Sequence, residues 1–172
     1  MNALTPDFRY RRLGYVALNV TDLARSGAFY ENIVGLQPAG EALAGERLYR
    51  CTQRHHDVVL HQASAPGLRR VAWEMESAAD LERLERHLQA LGIATHDVAA
   101  GECAALGLAR AVRATEPHLG AVFEYFHTMA PAATPFAPTV TKIARLGHVV
   151  LATNEHAETE RFLLEQLNYR VS

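Results

Sequence analysis

Three stretches of the chain carry the same hydrophobic pattern. Residues 13–18 read Leu-Gly-Tyr-Val-Ala-Leu, residues 69–75 Arg-Arg-Val-Ala-Trp-Glu-Met, and residues 145–152 Arg-Leu-Gly-His-Val-Val-Leu-Ala. Each is a short apolar run, the signature of a buried strand. Aligning the apolar triplets puts Tyr15, Arg70 and His148 in one column. A stretch with helical spacing follows each. In the first, Thr21-Asp22 offers an N-cap, and Leu23, Ala24, Ala28, Phe29, Ile33 and Val34 share one face up to Gly35. In the second, Ser77 is the cap, Asp80 completes a capping-box-like pattern, and Leu81, Leu84, Leu88 and Leu91 form the stripe before Gly92. In the third, the helix covers about 155–167, before the turn at Asn168-Tyr169. From the shared column to the turn is 20 residues (35 − 15), 22 (92 − 70) and 20 (168 − 148). Near-equal spacing makes this an internal repeat.

The first two copies continue into further strands. These are predicted at about 37–43, 46–52 and 57–63 in the first, with Ala44-Gly45 as a turn, and at about 94–99, 107–115 and 120–127 in the second. Each complete unit is then β-α-β-β-β. The fold class is α+β, with tandem modules curling into an incomplete barrel around a cavity. Residues 1–12 read as a loosely ordered lead-in. The run Ala130-Pro131-Ala132-Ala133-Thr134-Pro135-Phe136-Ala137-Pro138 is aperiodic and reads as a linker. The expected domains are a two-module unit over 1–128, a linker over 129–140, and a truncated third module over 141–172.

Composition narrows the function classes. The 172 residues are 49% hydrophobic and 21% charged, with a formal charge of −2. No electrostatic footprint for nucleic acid or an anionic membrane is present. No apolar run reaches the ~18 residues of a membrane span. Cys51 and Cys103 lie in apolar strand-like settings and read as buried thiols, consistent with a cytoplasmic protein.

A strand opening Leu-Gly-His/Tyr-Val, with a helix ending Ala28-Phe29-Tyr30 before Gly35-Leu36, resembles the vicinal oxygen chelate superfamily. That group contains glyoxalase I, the bleomycin-resistance proteins and the type I extradiol ring-cleavage dioxygenases. Two units, a Pro-rich linker and a fresh Leu-Gly-His-Val-Val-Leu opening look like the N-terminal domain of an extradiol dioxygenase, with an early piece of the catalytic one. The resemblance implies an iron(II) centre of two histidines and a glutamate, cleaving catechol-like diols with dioxygen. His148 matches the first iron-binding histidine. The positions of the second histidine and the glutamate would fall in a fourth unit. Such a metal needs three ligands on one face, leaving the other open for diol and dioxygen.

The resemblance also implies that ligands come from the first and last strands of paired modules. Aligning Val58-Val59-Leu60-His61 with Ala121-Val122-Phe123-Glu124 places His61 and Glu124 in matching positions, so that Tyr15, His61, Arg70 and Glu124 would line the first cavity. Arg70 would repel a metal there, and an Arg70–Glu124 ion pair is the simpler reading. His87 reads as part of a solvated helix face, and His118 as exposed. Three functions stay open: a ring-cleaving dioxygenase of which this chain is an incomplete, inactive part; a metal-free module binding a small aromatic molecule; and a structural domain. An unfinished third unit exposes apolar surface, so a homo-oligomer formed through it is expected.

Overall fold

The computed structural model describes residues 5–43, 45–138 and 142–171. Ala44 of the expected turn and Thr141 at the expected start of the third unit lie outside the described residues. The core of the fold is one eight-stranded sheet in the order β2-β3-β4-β1-β5-β8-β7-β6. The first module supplies β1 (Tyr10–Val20), helix α1 (Leu23–Phe29, extended by a π-helical turn over Tyr30–Val34), β2 (Gln37–Gly40), β3 (Glu46–Arg50) and β4 (Val58–Gln62). The second supplies β5 (Gly67–Met75), α2 (Ala78–Ala90), β6 (Thr95–Asp97), a short α3 (Ala100–Ala105), β7 (Leu108–Thr115) and β8 (Val122–Met129). The two first strands, β1 and β5, run antiparallel at the centre, each with its own module's last strand parallel beside it. The predicted tandem β-α-β-β-β order is therefore observed, with the short α3 added between β6 and β7 of the second module.

Caps start both α1 and α2, but only the second buries its apolar stripe; in the first, Ala24, Ala28, Phe29 and Ile33 are exposed. The Asp22 carboxylate accepts from the Arg25 amide, and Ser77 Oγ from the Asp80 amide. Leu81, Leu84 and Leu88 are buried against Val71, Val112, Phe123 and Tyr125 on the outer face of the sheet. Each such leucine contributes ~1.5–3 kcal/mol by leaving water. Gly35 closes the first helix at φ +80°, a conformation that a Cβ penalises.

Three expectations need correction. The lead-in is ordered: β1 begins at Tyr10, and Phe8 is buried against His87 with ring centroids 5.4 Å apart. His87 is accordingly buried too, not on a solvated face. The third unit forms a helix, α4 (His156–Arg161, continued by a π-helical turn over Phe162–Gln166), but residues 142–155 form no strand. A strand persists only where a neighbour takes its amides and carbonyls, and none of the eight strands pairs with this segment. The third unit instead docks through side chains. Leu167 is buried, Tyr169 packs on Trp73 and Tyr10, and Asn168 donates to the Phe8 carbonyl.

The Pro/Ala-rich stretch is fastened to the first module. The amides of His55 and Ala132 bond to the Ala130 and Gln53 carbonyls, and the Phe136 amide bonds to Gln53 Oε1. Arg50, buried at the end of β3, donates to the Thr134 carbonyl and hydroxyl and to the Pro135 carbonyl.

Candidate functional site

Strand register decides which side chains meet on the concave face. Tyr15 pairs with Ala72 and Ala17 with Arg70, on either side of the Val16–Val71 pair. Swapping the modules thus exchanges Tyr15 with Arg70, as the sequence column requires. The same operation corrects the second alignment. Val59 lies beside Ala17 and Glu124 beside Ala72, so Glu124 corresponds to Val59, two positions before His61. His61 lies next to Asn19 and faces Glu46 on β3. The sequence alignment slipped by two residues. A slip of two keeps every side chain on the same sheet face, so hydrophobic alternation could not reveal it.

Tyr15, Arg70 and Glu124 form one buried network. The Tyr15 hydroxyl donates to Glu124 Oε1 at 2.5 Å and accepts from Arg70 Nε at 2.8 Å. Arg70 Nε also lies 3.3 Å from Glu124 Oε2. Arg113, unremarked in the sequence, bridges Glu124 Oε2 at 2.7 Å and Glu102 Oε1 at 2.5 Å. Its signal was available: Arg113 faces Glu124 across the β7–β8 ladder. Glu102 comes from α3, a helix the sequence reading missed, and so could not be placed. His61 sits nearer the rim, 3.4 Å from the buried Glu46, which also has Arg69 at 3.5 Å.

The electrostatics follow from burial and pairing. Burial drives the Tyr15 phenol well above its ordinary range, and the Glu124 carboxylate adds to it, so this hydroxyl stays protonated and donates. Burial alone would lower the Arg70 and Arg113 values, but their tyrosine and carboxylate partners outweigh it and raise both. Burial opposes the charge on Glu102, but the Arg113 hydrogen bond and the Arg113, Arg70 and Arg69 charges together outweigh it and lower its pKa.

These residues do not line an open cavity. Tyr15, Arg70 and Glu124 are 0%, 2% and 0% exposed. Ala17, Leu48, Val59, Ala72, Cys103, Leu106 and Phe126 fill the concave face around them. Nor do they suit a metal: Glu124 is a good ligand, its counterpart Val59 has no donor atom, and the Arg70 guanidinium already occupies the ground between them.

His148 is elsewhere. It is exposed, and lines an apolar groove of about 660 Å³ between the sheet and the third unit, with Leu13, Trp73, Phe123, Leu163 and Tyr169. His156 and Glu160 lie along the same groove. Among the described residues no three His, Cys, Asp or Glu side chains stand close enough to hold a metal. His148 is therefore a single donor, and the residues described here do not complete a centre around it. Cys51 and Cys103 are free and buried; burial, seconded by Asp57, pushes the Cys51 thiol up to about 12. Among the described residues no helix is long and apolar enough to cross a membrane.

Comparisons with known proteins agree with this architecture. A biphenyl-2,3-diol 1,2-dioxygenase of Sphingomonas paucimobilis is 27% identical over 151 residues, which is 83% of this chain and 50% of the relative. A 1,2-dihydroxynaphthalene dioxygenase of Sphingobium xenophagum is 25% identical over 150 residues, again 83% and 50%. The chain thus spans about half the length of the curated relatives it matches. Among solved structures, a halotolerant catechol dioxygenase superposes with a TM-score of 0.85 at 19% identity, covering 94% of this chain and 56% of that one. A Mn(II)-bound glyoxalase from Novosphingobium aromaticivorans gives 0.81 at 24% identity, covering 96% and 55%. At these identities the superpositions speak for the fold. Residues 12–102 match the sequence pattern of a single family, and with its paired modules in place the chain belongs to the Glyoxalase/Bleomycin resistance protein/Dioxygenase superfamily.

Proposed function

We propose that this chain is part of an extradiol dioxygenase that cleaves catechol-like aromatic diols with iron(II) and dioxygen. The observation that carries this reading is the match of 83% of the chain to two relatives whose names both describe dioxygenases of aromatic diols. In this reading the first two modules are scaffold, because their concave face is packed with apolar side chains and ion pairs. His148 is the first metal ligand, and the remaining ligands come from residues outside those described. A bound metal would supply charge to the diol oxygens and hold both reactants side by side. The buried thiols fit a cytoplasmic setting.

The test is a chimera in which this chain replaces the matched half of the Sphingomonas biphenyl-2,3-diol dioxygenase. It should bind iron and consume oxygen with 2,3-dihydroxybiphenyl, and His148→Ala should abolish both. A folded chimera without iron would overturn the reading. The 172-residue chain alone should show no oxygen uptake with catechol, and turnover by it would remove the scaffold assignment.

The apolar groove beside Trp73 favours a second reading, a metal-free module for a small aromatic molecule. In that case 2,3-dihydroxybiphenyl should raise the melting temperature of this chain in the presence of a chelator. Val150 and Val171 are 84% and 80% exposed, which supports self-association through the third unit. A sedimentation series showing only monomer would remove that part.

A further inference from the structure

We infer that the Arg70 guanidinium takes the place of a metal ion in the first two modules, serving as the fixed internal cation at which they meet. This is independent of the dioxygenase reading. Arg70 comes from β5 of the second module. It reaches Tyr15 on β1 at 2.8 Å, Glu124 on β8 at 3.3 Å and Glu46 on β3 at 4.0 Å. One cation thus touches side chains of both modules, near the local twofold that relates them.

Position and charge argue the same way. Arg70 is the counterpart of Tyr15 and shares a sequence column with His148. The network around Arg70 joins three carboxylates, Glu46, Glu102 and Glu124, to three guanidiniums, Arg69, Arg70 and Arg113, with Glu102, Arg69 and Arg113 partly exposed. The sum is neutral. Adding a divalent ion beside the buried Tyr15, Arg70 and Glu124 would leave two uncompensated positive charges there, where unpaired charge is costly. The ligand set is also deficient. Val59 carries no donor where Glu124 has one, and Tyr15 is held in its protonated, donating form. The guanidinium, by contrast, supplies a fixed positive charge, its Nε facing the Tyr15 hydroxyl and the Glu124 carboxylate and its Nη1 in longer-range ion contact with Glu46.

The experiment uses the whole chain carrying His148→Ala, so that the third unit adds no histidine at that position. Equilibrium dialysis with electron paramagnetic resonance should show no stoichiometric Mn(II), and Mn(II) should not shift the melting temperature. In the same background Arg70→Ala should lower the melting temperature by about 10 °C. Millimolar methylguanidinium should restore part of that loss, and potassium chloride at equal ionic strength should not. If Arg70→Ala does not fold, Arg70→Lys, which keeps a cation, should lose less than Arg70→Met. Stoichiometric Mn(II) with a rise in melting temperature would overturn the inference. So would an Arg70→Ala chain as stable as its parent, a loss that methylguanidinium leaves untouched, or an Arg70→Met chain more stable than Arg70→Lys.

Discussion

The Tyr15 hydroxyl and the Glu124 carboxylate lie 109 positions apart in the chain and meet at 2.5 Å. They flank Ala72 in one row of the sheet, Tyr15 on β1 and Glu124 on β8. The bond therefore ties the first strand of one module to the last strand of the other. Breaking a buried charge network from one side leaves the other charges unpaired. Glu124→Ala should cost ~3–5 kcal/mol, because Arg70 and Arg113 lose a shared acceptor. Tyr15→Phe should cost less, ~1–3 kcal/mol, since it leaves both ion pairs to Glu124 in place. Urea denaturation of the two variants checks both the sizes and the order.

His56 is fully buried against the Tyr15 ring, at a centroid distance of 4.4 Å, and its Nδ1 lies 3.1 Å from His55 Nδ1. Burial, followed by His55, Arg54 and Arg70, pulls its pKa well below the ordinary value. Burial also lowers His55 and His87. Between the folded and unfolded pKa values the unfolded chain holds more protons, so stability falls as pH drops below ~6.5. Each fully neutral histidine contributes a slope of ~1.4 kcal/mol per pH unit in that window. Urea midpoints from pH 7.5 to pH 5 should show the fall, and His56→Gln should flatten it.

Arg50 fastens the Pro/Ala-rich stretch through three hydrogen bonds, to Thr134 and Pro135. Arg50→Ala should loosen residues 130–136 while leaving the sheet folded. The Ala132 and Phe136 amides should then exchange with solvent faster, and trypsin should cut sooner at Lys142 and Arg145. A local loss of ~1.5–3 kcal/mol corresponds to a charge-assisted bond removed.

Gly107 sits at φ +66°, and a Cβ there would come within 2.8 Å of the His55 ring. Gly107→Ala meets both a strained backbone and a blocked site. It should destabilise the chain by ~1–3 kcal/mol and raise the exchange rate of the His55 amide, which bonds to Ala130.

The repeat, the order of strands and long helices in the first two modules, the caps at Asp22 and Ser77, and the equivalence of Tyr15 and Arg70 were legible in the sequence; the short α3 was not. These follow from hydrophobic period and local capping chemistry, which act between near neighbours in the chain. The sequence also named the Arg70–Glu124 pair as the simpler reading of two opposite charges in one interior. Tertiary structure decided the rest. The partner of Glu124 in the repeat is Val59 and not His61, because strand register is fixed by pairing, and a shift of two leaves the alternation unchanged. Arg113 and Glu102 joined the network because two elements distant from Tyr15 in sequence fold over it. His87 went inside because Phe8, far away in the chain, covers it. The apolar run at 145–152 carries the same pattern as β1 and β5 yet forms no strand among the described residues, since pattern marks which face can be buried, while only a neighbouring strand can supply the hydrogen bonds.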